Sequence, residues 1–244
     1  MSRSILLLLA GLLAGGCASM PPGQGVAYDP WEKPNRGVYK FNTVLDSAVT
    51  RPLARGYQRV VPEPARDSIT NFSQNLFAPR SALNNFLQGK PRDGFGEILR
   101  FIINSTAGIG GLFDIASRNG LDPHPEDFGQ TAAVWGVPAG PYVMLPVLGP
   151  STLRDAILRP LNTAADPLYH YDNSSVRDPL YVLRIINLRS RLLAIDAMLA
   201  DSKDKYLTVR ESYLQNRAFN IYDGDPPTAD DDEFFDEFLD EEDY

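Results

Sequence analysis

A run of 26 residues without a single charge, residues 128–153, constrains this chain more than any other feature. It is long enough for a membrane-spanning helix, which takes about 20 apolar residues. Yet Pro138, Pro141, Pro146 and Pro150 interrupt it along with several glycines, and a proline inside a helix removes a hydrogen bond and clashes with the preceding turn. A straight transmembrane helix is therefore excluded. Irregular apolar backbone of this kind either covers the core of a soluble bundle or lies at membrane depth, buried in protein or lining a cavity. Residues 101–113 repeat the theme, uncharged between Arg100 and Asp114 but carrying Asn104, Ser105, Thr106, Gly108, Gly110 and Gly111. Ala107 and Gly111 stand four apart, the spacing of small residues that lets helices approach closely in lipid. Polar groups in such a segment face a cavity or a partner. Arg100, Asn104, Ser105 and Thr106 are therefore candidates for lining a polar cavity, the alternative being hydrogen bonds that stitch helices together.

The N-terminus reads as a secretory signal over residues 1–16, with one basic residue, Arg3, an apolar run at residues 5–13, and Ala14, Gly15 and Gly16. Cys17 follows. It is the sole cysteine, has no disulfide partner within the chain, and sits where a lipoprotein signal peptidase leaves the mature N-terminus. Ala14 departs from the leucine usual three residues before such a cysteine. One acyl chain binds a membrane only marginally, whereas the three of a lipoprotein cysteine, palmitate among them, make attachment effectively permanent. Ala18 after the cysteine favours sorting to the outer membrane. Residues 17–28 are small, polar and broken by proline and glycine, a flexible tether.

Residues 29–222 read as one all-α domain. Val38, Phe41, Leu45 and Val49 recur at helical spacing, as do Ala65, Ile69, Phe72 and Leu76 after Pro62 and Pro64. Pro91 opens a helix with Phe95, Leu99 and Ile102 on one face, and Asp178-Pro179 is the expected capped start of one carrying Ile185, Leu188, Leu192, Ile195 and Leu199. A last helix is expected from Lys203 to Arg217. Alternating strand patterns are scarce, and no hairpin turn separates two of them.

The formal charge of -8 comes from the tail, since residues 230–244 hold ten acidic and no basic side chains, and without them the chain carries +2. A near-neutral body with an acidic tail lacks the basic stripe that nucleic acid requires. Residues 223–244 cannot build a core and are expected to be disordered, with docking to a basic partner as the sharper alternative. No metal-ligand spacing involves His124 or His170, no G-x-S-x-G elbow is present, and no cofactor motif is complete. Ser151 reads as a helix N-cap, Gly108 to Gly111 as helix packing or a kink, and Glu126 with Asp127 as a solvated turn. The residues point away from an enzyme.

Read in order, Asp29-Pro-Trp-Glu-Lys-Pro-Asn-Arg36, Val60-Val-Pro-Glu-Pro-Ala-Arg66, Asn84-Asn-Phe-Leu-Gln-Gly-Lys-Pro91, residues 100–114, Glu126-Asp-Phe-Gly-Gln-Thr131, Trp135-Gly-Val-Pro-Ala-Gly-Pro-Tyr142 and residues 206–213 resemble the MlaA family, also called VacJ lipoproteins. The resemblance implies a ring-like helical protein in the inner, periplasmic-facing leaflet of the outer membrane, anchored through Cys17, with a polar channel through its middle. It implies association with a trimeric porin, removal of mislocalised phospholipid from the outer leaflet to maintain lipid asymmetry, and delivery to a soluble periplasmic carrier. Arg100, Asn104, Ser105 and Thr106 then become candidate headgroup contacts. The competing reading is a structural lipoprotein that scaffolds a porin or surface protein.

Overall fold

Proline placement divides the chain into helices. In a computed structural model, which describes residues 29–227, α1 (Glu32–Leu45) passes through a π-helical turn (Asp46–Thr50) into α2 (Arg51–Val60). The widened turn lies just ahead of Pro52, which has no N–H to offer a regular ladder. Asp46 within it is held by Arg189 at 2.7 and 3.0 Å and by Arg51 at 3.1 Å. Burial opposes the Asp46 charge, but the Arg189 and Thr50 hydrogen bonds and the two guanidinium charges lower its pKa to about 2. Cys17 and the tail beyond residue 227, on which the expectations of lipidation and docking fall, lie outside the described residues.

Helix α3 (Glu63–Leu87) starts after Pro62 and turns back at Gly89 into α4 (Pro91–Thr106). Gly89 has φ +76°, and the Lys90 N–H reaches the Asn85 carbonyl at 2.9 Å, closing the end of α3 through a left-handed residue before Pro91 starts α4. These two helices pack against each other as an antiparallel pair. The short α5 (Ile115–Arg118) and α6 (Phe128–Val134) follow, capped by the Asp114 and Asp127 carboxylates.

The uncharged proline-rich stretch then forms an antiparallel hairpin of β1 (Tyr142–Leu145) and β2 (Gly149–Thr152), with Tyr142 opposite Thr152 and Leu145 opposite Gly149. The sequence reading found no hairpin signal, because Pro146 and Val147 stand where Asn-Gly would mark a turn. Here α1 makes the turn. Asn42 donates to the Leu145 carbonyl at 3.0 Å and accepts the Val147 N–H at 2.8 Å, holding Val147 at φ +66°. One α1 repeat earlier, Asn35 donates to the Tyr142 carbonyl and accepts the Met144 N–H, at 3.0 and 2.9 Å. Two asparagines thus stand in for a missing third strand and satisfy the edge of β1.

Beyond the hairpin come α7 (Leu153–Ala164), a 3₁₀ turn (Pro167–His170), α8 (Ser174–Leu192), α9 (Ile195–Ala200) and α10 (Lys205–Ile221). Thr152, not Ser151, caps α7, because its Oγ1 accepts the Asp155 N–H at 3.2 Å. Helix α8 begins at an Asn173 cap, five residues before the expected Asp178 start, and Pro179 falls within its early turns. Residues 29–226 belong to one unit, and the fold is all-α apart from the hairpin. Near its beginning, Asp29 accepts the Tyr206 phenol and pairs with Arg210 at 3.5 Å, tying the chain's entry to α10.

Candidate functional site

Burial in this protein is inverted. Apart from four alanines, the buried apolar side chains among the described residues are Tyr142, Met144, Leu168 and Tyr206, with no valine, isoleucine or phenylalanine. The buried polar ones include Asn35, Asn75, Asn84, Asn85, Glu97, Arg100, Asn104, Glu126 and Gln130. The large apolar side chains look outward instead, with Val60 82%, Met198 76% and Val147 67% exposed. Faces expected from periodicity obey the same rule, for Phe95, Leu99 and Ile102 on α4 and Ile185, Leu188 and Leu192 on α8 are all exposed. Burying any one of them would gain roughly 1.5–3 kcal/mol in water. A fold built for water does not leave so many outside.

The interior holds hydrogen-bonded polar clusters. Glu126 accepts from Gln88 at 2.7 Å, Gln130 at 2.5 Å and Lys90 at 3.2 Å, while Thr131 donates to Asn84 at 2.7 Å. Burial raises the Glu126 pKa against these partners. Arg217 closes a second cluster, reaching Asp127 at 2.8 Å through both terminal nitrogens, Asp155 at 2.8 and 3.0 Å, and Gln130 at 3.0 Å. Tyr213 adds a hydrogen bond to Asp155 at 2.9 Å. Gly129 makes room, since a Cβ there would overlap the Asp155 carboxylate and the Arg217 guanidinium. Glu126 and Asp127 are therefore no solvated turn. They point apart into two different buried clusters, which adjacency in sequence conceals.

Between α3, α4 and the segment before α6 lies a cavity of about 130 Å³, where Asn75, Arg80, Glu97, Arg100 and Asn104 meet apolar walls from Phe77, Ala78, Pro123 and Pro125. Arg100 donates to Ser117 at 2.8 Å, to the Leu121 carbonyl and to Asp114 at 3.2 Å, and Asn104 donates to Asp114 at 3.0 Å while accepting the Ala116 N–H at 2.9 Å. Burial works against the Asp114 carboxylate, but both Ser117 hydrogen bonds, Asn104 and the Arg100 charge lower its pKa to about 2. Ser105 accepts from Asn75 at 2.9 Å, joining α4 to α3. Thr106 is exposed and donates to the Ile102 carbonyl at 2.7 Å. The structure thus brings Arg100 and Asn104 together at the cavity, sets Ser105 at the helix contact, and leaves Thr106 outside.

Ala107 and Gly111 do not share a helix, because α4 ends at Thr106 and Ile109, Gly110 and Gly111 turn back with positive φ. Gly111 still serves close packing, as a Cβ there would overlap Asn75. Sequence reasoning missed Arg80, Asn75 and Glu97. The signal was there in α3, whose polar positions Asn71, Gln74, Asn75, Asn84 and Asn85 are uncharged amides where a water-facing stripe would carry lysine and glutamate. Among the described residues no acidic, histidine or cysteine cluster could hold a metal ion, and neither His124 nor His170 is hydrogen-bonded to a serine or threonine hydroxyl. No described helix is long and apolar enough to cross a membrane.

A family model for the MlaA lipoprotein matches residues 27–220. The chain belongs to the MlaA lipoprotein family. It is 39% identical over 227 residues to the intermembrane phospholipid transport system lipoprotein MlaA of Shigella flexneri, covering 89% of this chain and 88% of that one. The same-named protein of Escherichia coli strain K12 is 38% identical with the same coverage, and an uncharacterized protein of Rickettsia typhi is 36% identical over 198 residues, 80% of this chain and 78% of its own. A solved structure described as the structural basis for maintenance of bacterial outer membrane lipid asymmetry superposes with a TM-score of 0.71 at 39% identity, covering 79% of this chain and 98% of that one. In this member of the MlaA family, the segments that carry the resemblance supply Asn35 to the hairpin edge, Asn84 and Glu126 to the interior, and Arg100 to the cavity.

Proposed function

We propose that this chain is the outer-membrane lipoprotein of an intermembrane phospholipid transport system, anchored through Cys17 and seated as a ring in the periplasmic-facing leaflet. Phospholipid that has strayed into the outer leaflet enters its polar interior and passes to a soluble periplasmic carrier, beside a trimeric porin. The observation that carries this reading is the inverted burial, with polar clusters inside and whole helical faces of valine, leucine and isoleucine outside. Such faces suit lipid, where apolar surface has no reason to hide. The names of the Shigella and Escherichia relatives support the transport assignment.

The energetics give the arrangement a purpose. Drawing a two-chain phospholipid into water exposes roughly 30 methylenes at about 0.8 kcal/mol each, over 20 kcal/mol in all. A body that shelters the charged headgroup while its own apolar exterior lies level with the acyl chains avoids that cost, and no bond need be made or broken. Arg100, Asn104 and Ser105 sit along the interior where a headgroup would pass, while Thr106 is exposed.

The test labels outer-leaflet phospholipid in intact cells with and without the gene. Deletion should raise surface phospholipid and sensitivity to detergent with chelator, both restored by the wild-type gene. Unchanged surface phospholipid rejects the transport reading and returns the scaffold to first place.

A further inference from the structure

One cation at the cavity stands without an ion-pair partner. Arg80, in the middle of α3, lines the cavity and has no ion pair with any described residue. Its Nε is buried without a hydrogen-bond partner. The two carboxylates whose fields reach it are taken, Asp127 by Arg217 at 2.8 Å and Asp166 by Arg184 at 2.7 Å. Its guanidinium lies 4.5 Å from the centre of the Phe77 ring, and that of Arg184 lies 4.6 Å from the same ring. Phe77 thus holds the Arg80 side chain in place but cannot neutralise it.

Arg80 is half-buried, and the carboxylates of the same cavity are already engaged elsewhere. Arg100 pairs with Asp114 at 3.2 Å, and Glu97 accepts the His124 N–H at 2.6 Å with Arg100 3.9 Å away. Burial lowers the proton affinity of Arg80 and raises that of Glu97, as it does for any charge held out of water. An arginine remains a cation at neutral pH. What Arg80 lacks is an anion placed to accept from its guanidinium, because both carboxylates of the cavity are paired with Arg100.

Next to it, and sharing α3 as a wall, is a second cavity of about 270 Å³ lined by Ile69, Phe72, Leu112, Leu168, Leu183 and the stem of Arg184. Its wall is apolar apart from Ser73 and Arg184. Ile69 and Phe72 face this cavity, whereas Asn71 and Asn75 face the first, so α3 divides a compartment for an acyl chain from one for a headgroup.

We infer that Arg80 is the docking point for the phosphodiester of a transiting phospholipid, with an acyl chain lodged in the apolar cavity on the other side of α3. This rests on the transport reading above and names the group that would recognise the cargo. Guanidinium and phosphate match as planar donor and oxyanion. The phosphate is shared by all glycerophospholipids, so the site would accept the class and read no further headgroup chemistry.

The test uses the full-length acylated protein, delipidated in detergent, titrated calorimetrically with dihexanoyl phosphatidylethanolamine, dihexanoyl phosphatidylglycerol, dihexanoylglycerol without phosphate, and inorganic phosphate. Both phospholipids should bind at least roughly tenfold more tightly than dihexanoylglycerol, and inorganic phosphate only weakly. R80Q should erase that advantage while leaving dihexanoylglycerol unchanged, and R80K should keep part of it. Wild-type binding of the phospholipids that R80Q leaves intact overturns the role of Arg80 and spares the transport reading. Inorganic phosphate binding as tightly as phospholipid makes this a free-phosphate site and overturns the lipid assignment. Failure of the wild type to bind any lipid overturns both. Should R80Q not fold, the wild-type contrast between phospholipid and dihexanoylglycerol, together with R80K, still decides.

Discussion

Replacing Arg217 with methionine removes the cation that closes the cluster between α6, α7 and α10. The Arg217, Asp127 and Asp155 side chains are only 12%, 24% and 10% exposed, so the relevant magnitude is that of breaking a buried pair, about 3–5 kcal/mol, rather than the fraction of a kilocalorie expected at a surface. In a domain of this size one kcal/mol moves the melting midpoint by about 2–4 °C, which places the R217M midpoint roughly 6–20 °C below wild type at pH 7. The pH dependence identifies the cause. Burial alone would raise the pKa of Asp127 and Asp155, but the Arg217 hydrogen bonds and charge outweigh it and lower both. In the wild type their contribution is therefore full above the unfolded carboxylate pKa near about 3.9 and is lost as pH falls through the lower folded values. In R217M burial dominates, both pKa values rise, and protonation relieves the folded state as pH falls. The gap between the two proteins, followed by circular dichroism in detergent, should shrink between pH 7 and pH 4. A midpoint within roughly 2 °C of wild type at pH 7, or a gap that does not change with pH, refutes the reasoning.

If apolar faces seat the body in lipid, the Cys17→Ser protein made without its signal should float with liposomes, and a monodisperse sample in plain buffer that ignores liposomes would contradict this. L188D, on an outward side chain, should weaken flotation while leaving helicity intact, with about 2.5–3.5 kcal/mol for a charge at bilayer centre as a ceiling; unchanged flotation would count against contact at α8. G111V combines a β-branched residue at φ +92° with overlap on Asn75 and should lower thermal stability by about 1–3 kcal/mol or more, whereas G110A at φ +68° meets no neighbour and should cost about 1–2 kcal/mol. Equal melting of the two would remove the packing role given to Gly111. Truncation after Tyr222 deletes the Asp223 partner of Lys90, a pair half open to water on the Asp223 side, and should change the melting midpoint by at most about 1 kcal/mol equivalent. A larger loss would mean that the tail contributes to the fold.

Helical periodicity located α1, α3, α4 and α10 because a 3.6-residue repeat of apolar positions marks a face whichever way it points. It could not tell that Phe95, Leu99 and Ile102 look outward. That direction depends on the solvent, and the same repeat serves a face buried in a core or laid against lipid. What distinguishes the two cases is the opposite face. Along α3 it carries asparagine, glutamine and serine with Arg80 as its one charge at the cavity, whereas a water-facing stripe would carry lysine and glutamate. The hairpin was hidden for a related reason, since its turn takes its geometry from Asn42, 105 residues before Val147 in the chain, and not from its own residues.

The candidate site was half legible by the same logic. Arg100 and Asn104 stood out as polar residues in an apolar run, and the cavity does include them, but each is spent on Asp114 and the loop around Ala116. Arg80 is the one charged residue between Asp67 and Lys90, a signal that the sequence reading passed over. Its distinction is the absence of a partner, which can be seen only once Asp127 and Asp166 have been assigned to Arg217 and Arg184. A transport path needs such an incomplete group. A charge fully matched by protein has no reason to bind cargo, and at a cavity where Arg100 takes both carboxylates, the unmatched guanidinium of Arg80 is where a passing phosphate would gain most.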